Sequence, residues 1–140
     1  MNDLTLLAGR ILLATLYVVS ATGKWGDIPG LAATLAGKGF PIPDALALIA
    51  AAAELGGALA VAVGFRTRVA ALGLIAYSAL ATIAFHAFWQ VPPPEAQAQS
   101  IQFLKNLGLI GGFLLLSATG PGAYSVDVKR DRSLVPKVAV

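Results

Sequence analysis

Residues 44–64, DALALIAAAAELGGALAVAVG, carry one acidic residue at their centre and no other charge after the first position. As a helix these 21 residues are roughly 31 Å long, close to the ~30 Å hydrocarbon thickness of a bilayer. The central residue, Glu54, would then lie at mid-membrane depth. A carboxylate there costs on the order of 2.5–3.5 kcal/mol, so it is expected to face the protein interior beside a partner. Ala47, Ala50, Ala51, Gly57 and Ala58 share its helix face. Such small residues let a second helix come close and shield the charge from lipid. Much of the remaining sequence can be read as the search for the residue that answers Glu54.

The composition fits that setting. Hydrophobic residues make up 57% of the chain and charged residues 12%, against about 25% charged in soluble domains. The apolar residues fall into four blocks of membrane-spanning length, which predicts an all-α integral membrane protein. The fold expected is an antiparallel four-helix bundle with a short interfacial helix between spans one and two. Without cysteine, the chain has no thiol redox chemistry, thiolate metal site or disulfide. The net charge of +3 comes from basic residues at block ends and in the tail. That pattern sets membrane orientation and is not a phosphate-binding face, so nucleic acid is not an expected partner.

The first span is expected over residues 4–23. Arg10, Ala14, Tyr17, Ala21 and Lys24 recur at intervals of three or four and form one helical stripe. A rival reading makes Arg10 the basic region of a cleavable leader with residues 11–19 as its apolar core. Three further spans, which need no such leader, weigh against it. Residues 24–43 are punctuated by glycine and proline, with Asp27 placed to cap a short interfacial helix through Ala36. The span of Glu54 follows, then the tight basic turn Phe65-Arg66-Thr67-Arg68. The third span, residues 69–89, carries a polar stripe of Ser78, Thr82, His86 and Trp89. Residues 90–100, with three successive prolines, read as a stiff polar loop. The fourth span, residues 101–119, has Gln102 and Asn106 on one face and Lys105 one step around. Its Gly108 and Gly112 form a GxxxG pair suited to close helix contact. The domain division is residues 1–127 for the membrane bundle and 128–140 for a basic tail. Arg66, Arg68, Lys129, Arg130, Arg132 and Lys137 lie on the side of the termini, so both termini are expected in the cytoplasm, with the bundle in the plasma (inner) membrane.

That topology puts Lys24, His86, Lys105 and Asn106 in the outer half of the bilayer, Arg10 in the inner half and Glu54 near the middle. Arg10 is within reach of Glu54 by depth, and a pair would meet the cost each charge carries alone. His86 and Asn106 are the other candidates. Each feature has a plainer reading too. An Arg10–Glu54 pair that only fixes packing fits the same residues, Lys24 and Lys105 are placed to snorkel to the headgroups, and His86 serves equally well as a packing residue. One histidine cannot ligate haem from both sides, and His86 with Glu54 are too few ligands for zinc, so neither haem nor a metal is expected. A redox role therefore needs a lipid-soluble carrier or an electron-carrying partner subunit.

The same residues resemble the DoxX family of small four-helix membrane proteins. The resemblance runs through Gly9-Arg10, Gly23-Lys24, Glu54-Leu55-Gly56-Gly57, Gly64-Phe65-Arg66-Thr67-Arg68, His86 and Lys105-Asn106. It closes on Gly120-Pro121-Gly122-Ala123-Tyr124-Ser125-Val126-Asp127. It implies attention to Arg10, Glu54, His86 and Asn106, and a place beside an oxidoreductase. The family takes its name from the small membrane subunit of an archaeal thiosulfate:quinone oxidoreductase, and a mycobacterial relative belongs to a membrane complex handling oxidative stress. Three functions follow as expectations. The first is a quinone-linked subunit of a membrane oxidoreductase, with Glu54 and His86 as proton-handling catalytic groups. In that reading Arg10, Tyr17, Lys24, Lys105 and Asn106 contact the substrate, and the intervening apolar side chains accept an isoprenoid tail. The second is a small-molecule or proton transporter. The third is a non-catalytic membrane anchor or assembly protein. The lipid bilayer is the expected partner in all three, with an oxidoreductase subunit in the first, and a homo-oligomer is compatible with each.

Overall fold

The computed structural model describes residues 2–134. Six α-helices follow one another: α1 (Asp3–Gly26), α2 (Ile28–Gly37), α3 (Pro43–Val63), α4 (Thr67–Phe85), α5 (Pro93–Thr119) and α6 (Val126–Leu134). A single 3₁₀ turn, Phe88–Gln90, lies between α4 and α5. Four of these segments are long and apolar enough to cross a membrane. The expected helix between the first two spans is α2. Asp27 caps it as anticipated, its Oδ1 accepting from Gly30 N at 2.9 Å. Pro29 sits at its start, where a missing N–H costs nothing.

The four spans form a ring in the order α1, α3, α4, α5, each packed against the next and α5 returning to α1. Neighbours in this ring run antiparallel, and α2 leans on α3. Towards the termini the centre is apolar, built from Ala14, Tyr17, Ala58, Val61, Leu74 and Phe113. Polarity is distributed inside out. Leu12, Leu80 and Leu115 are 73%, 71% and 70% exposed, whereas Arg10, Glu54, Ser78 and Thr82 are buried. In water that arrangement would be unstable; in lipid it is the required one, because only the protein interior offers partners to polar groups.

Two expectations about elements are corrected. The stretch 90–100 is not a loop for most of its length, since α5 begins at Pro93. Pro93 and Pro94 occupy the first turn, where their fixed φ favours a helix and no N–H is needed, and Glu95 suits the positive end of the helix dipole. Gly108 and Gly112 do not act as a pair within the bundle. A side chain at Gly112 would meet Leu13 Cδ2 at 3.0 Å, whereas the space beside Gly108 is open. The polar segment after residue 126 is helical as α6 through Leu134, and the remainder of the expected tail lies outside the described residues.

The turn after α5 closes the bundle at the end of the termini. Arg10 Nη1 donates to Pro121 O and Nη2 to Tyr124 O, each at 2.6 Å. Its Nε has no partner among the described residues. Ala123 N donates to Asp3 Oδ1 at 2.9 Å, tying the turn to the start of α1. Asp127 reaches the other way. Its Oδ1 accepts from Arg66 N at 2.7 Å, and its Oδ2 from Thr67 N at 2.9 Å and Thr67 Oγ1 at 3.0 Å. Arg66, at the N-cap of α4, has a left-handed φ of 42° and makes no side-chain cap of its own, so Asp127 caps α4 from sixty residues away. Partial burial pushes the Asp127 carboxyl up. The N–H groups of Thr67 and Arg66, the Thr67 hydroxyl and the charge of Arg10 outweigh that and hold it below its ordinary value.

Candidate functional site

Glu54 is answered by Lys24. Lys24 Nζ lies 2.7 Å from Glu54 Oε2 and also donates to Ser20 Oγ at 2.7 Å. The expected Arg10–Glu54 pair is absent: both guanidinium nitrogens that bond are spent on the α5–α6 turn. Nor does Lys24 snorkel outward. Helix geometry explains both corrections, because Cα–Cβ bonds tilt toward the N-terminus of their own helix. On α1 that tilt sends Lys24 back into the bundle and Arg10 away from its middle, toward the termini. On the antiparallel α3 it sends Glu54 toward the far end. Lys24 and Glu54 thus lean together, and Arg10 leans away.

Around the pair lies a cavity of about 550 Å³ in the half of the bundle away from the termini. Its polar lining comes from Tyr17, Ser20 and Lys24 of α1, Glu54 of α3, Tyr77 and Ser78 of α4, His86 just after α4, and Gln102, Lys105 and Asn106 of α5. Six of the seven residues singled out in the sequence therefore share one space: Tyr17, Lys24, Glu54, His86, Lys105 and Asn106. Arg10 is not among the lining residues, and its role is to close the bundle.

Several of these side chains are already fixed. The Ser78 hydroxyl donates to Leu74 O at 2.5 Å, so in the 2.6 Å contact between Tyr17 Oη and Ser78 Oγ the phenol is the donor. Tyr17 also packs edge-on against Phe113. Its proton is spent, which removes it from the donors available to a ligand. Asn106 Nδ2 donates to Thr82 Oγ1 at 2.9 Å and keeps a second N–H and its carbonyl. His86 Nδ1 lies 2.8 Å from Gln99 Oε1. An amide oxygen only accepts, so Nδ1 carries the proton and Nε2 bears the lone pair of the neutral ring. Counting Lys24, Lys105 and Glu54, with a neutral His86, the cavity holds one surplus positive charge.

Tyr77 and Gln99 had not been singled out in the sequence. Tyr77 sits one position before Ser78 and lies close enough to Glu54 to interact with its carboxylate. It is off the polar stripe and reads as apolar by periodicity, so no signal marked it. Gln99 was hidden by reading its segment as a loop; on a helix it falls three residues before Gln102, on the face that meets His86.

A second cavity of about 450 Å³ adjoins the first and shares Lys24, Leu31, Tyr77, Ala81 and Phe85 with it. Apart from Lys24 and Tyr77 its lining is apolar, contributed by α2, α3, α4 and Phe40. Both volumes lie in the range of roughly 300–1,000 Å³ usual for small-molecule sites.

The DoxX family model matches residues 5–87, which contain Arg10, Lys24, Glu54 and His86. The chain belongs to the DoxX family. Relatives extend the likeness of this DoxX protein through α5. Inner membrane protein YqjF of Escherichia coli is 38% identical over 133 residues, covering 91% of this chain and 92% of YqjF. Inner membrane protein YphA of the same organism is 33% identical over 122 residues, 87% of each chain. A Surfeit locus protein 4 homolog of Schizosaccharomyces pombe is 35% identical over 72 residues, 50% of this chain and 24% of that protein. No solved structure matches.

Proposed function

We propose that this DoxX chain is a quinone-binding membrane subunit of an oxidoreductase, held in the inner membrane with both termini in the cytoplasm. The observation that carries the reading is the convergence of six chemistry-bearing side chains on one polar cavity that opens into an apolar one. A quinone head, when bound, takes two electrons from an electron-donating partner subunit and two protons, one at each carbonyl oxygen. Lys105 and the second amide N–H of Asn106 are the donors left to orient such oxygens, since the Tyr17 proton is committed to Ser78 and the Tyr77 hydroxyl faces the Glu54 carboxylate. His86, once its Nε2 has taken a proton from water, and Glu54, once the carboxylate paired with Lys24 has taken one, are the groups suited to pass protons on to the head. Gln99 holds the ring of His86 in place. The surplus positive charge favours the head as it gains electrons.

A purely structural anchor explains the Arg10 and Asp127 contacts equally well. It does not explain the cavity, because apolar packing would hold four helices together without burying Glu54.

The test is thermal. A short-chain quinone analogue should raise the melting temperature of the purified protein, and at a hundredfold excess over Kd binding is worth about 2.7 kcal/mol. His86→Gln and Asn106→Leu should reduce that gain while leaving the bundle folded. An unchanged melting temperature across the concentration range, with both substitutions silent, replaces this reading with the anchor.

A further inference from the structure

The apolar cavity has a shape that the polar one does not account for. Its floor includes Ala50 and Ala53 of α3 and Ala81 and Ala84 of α4, and larger residues at these positions would fill it. One wall is Leu31 and Leu35, which α2 carries as it leans on α3. The rim residues Ile49, Leu80 and Ile83 are 60%, 71% and 64% exposed, so the groove opens sideways to lipid. Its inner end is the set of residues shared with the polar cavity, with Tyr77, Phe85 and Lys24 at the junction. In a bilayer such a groove excludes water and takes an apolar chain.

We infer that the groove between α2 and α4 seats the isoprenoid tail of the quinone whose head enters the polar cavity, and that Ala53 and Ala84 set how well a tail is accepted. The inference rests on the quinone reading and adds to it an access route and a specificity determinant. Continuity selects the occupant: a chain lying in the groove ends at Tyr77 and Lys24, which both cavities share, so the head it carries passes into the polar cavity. The helix α2 then acts as the wall that makes the site, in addition to joining two spans. Lipid is as apolar as the groove, so the tail gains little from transfer alone. Its contribution lies in close packing and in holding the ring in register.

Two probes separate tail from head in nanodiscs of phosphatidylethanolamine and phosphatidylglycerol: a benzoquinone ring without a tail, and the same ring with a diprenyl tail. The comparison is the ratio of their affinities in wild type and in the groove-filling variants Ala53→Leu and Ala84→Phe. These lie on different helices, and the melting temperature of each unliganded variant checks its fold. The expected result is a loss of about fivefold or more in the advantage of the tailed ring in both variants, with the bare ring binding as in wild type. An unchanged ratio, with both rings bound, overturns the groove assignment and leaves the quinone reading standing. Failure of both rings to bind wild type overturns the two together. A phospholipid that stays bound in the groove and is not displaced by the tailed ring also overturns the assignment.

Discussion

Glu54 is 3% exposed, whereas the side chain of its partner Lys24 keeps 26% exposure, so the two ends of this ion pair do not bear equal risk. Removing Lys24 strands a carboxylate inside the bundle. Removing Glu54 leaves an ammonium that still has Ser20 and the cavity. Lys24→Ala should therefore cost on the order of 3–5 kcal/mol and Glu54→Ala distinctly less, while Lys24→Leu combined with Glu54→Leu should be milder than Lys24→Ala. Unfolding in mixed detergent, arranged as a double-mutant cycle, measures this, and strictly additive losses would show that the two do not interact. At this scale the sequence carried more than spacing alone extracts. Depth along the helices puts Arg10, His86 and Asn106 forward for Glu54 and leaves Lys24 to the headgroups, whereas the tilt of Cβ toward each N-terminus chooses Lys24. The loss of Tyr17 as a donor was not legible, because it depends on which way the Ser78 proton points, and Leu74 O decides that.

Among the elements, the turn from Gly120 to Asp127 organises the end near the termini, and its glycine contacts are unequal in consequence. Gly64, the C-cap of α3, has a φ of 73°, and an added Cβ would lie 2.5 Å from Ser125 Cβ and 2.6 Å from Arg10 Nη1. Gly64→Ala should cost on the order of 1–3 kcal/mol through backbone strain and displacement of the Arg10 contacts. Gly56→Ala, with open space beside it, should stay within about 0.5 kcal/mol. Equal thermal shifts for the two would contradict this account of the turn. Asp127 adds a pH signature. Its carboxyl is held below its ordinary value in the folded chain. The stability it contributes is thus full above the unfolded value of about 3.9 and disappears as pH falls through the lower folded value. Asp127→Asn should cost about 0.5–2 kcal/mol near neutral pH, and the gap from wild type should close below about pH 4. A gap that stays constant as the melting temperature is followed downward in pH would exclude a charge-dependent cap. The long apolar periods and the Asp27 cap made the helices themselves legible. The start of α5 was missed because consecutive prolines read as a loop signal, although the first turn of a helix tolerates them.

For the whole molecule, four apolar blocks sufficed to give the antiparallel bundle, whereas the order of neighbours in its ring depends on packing that hydropathy does not encode. The adjoining cavities were not legible, since they depend on alanines that sequence patterning counts as ordinary core. The proposed orientation, with both termini in the cytoplasm, rests on the basic residues near the termini. Cysteine replacing Glu95 should react with an impermeant reagent added outside the cell and cysteine replacing Arg130 should be protected, and the reverse pattern would invert the topology. The central claim is that the polar cavity receives a quinone head, and photolabelling in native membranes tests it most directly. A photoreactive quinone should label peptides containing residues 17–24, 77–86 and 102–106, and unlabelled quinone should compete that label away. Label confined to the turn at residues 120–127, or label that no excess of quinone displaces, would contradict the account.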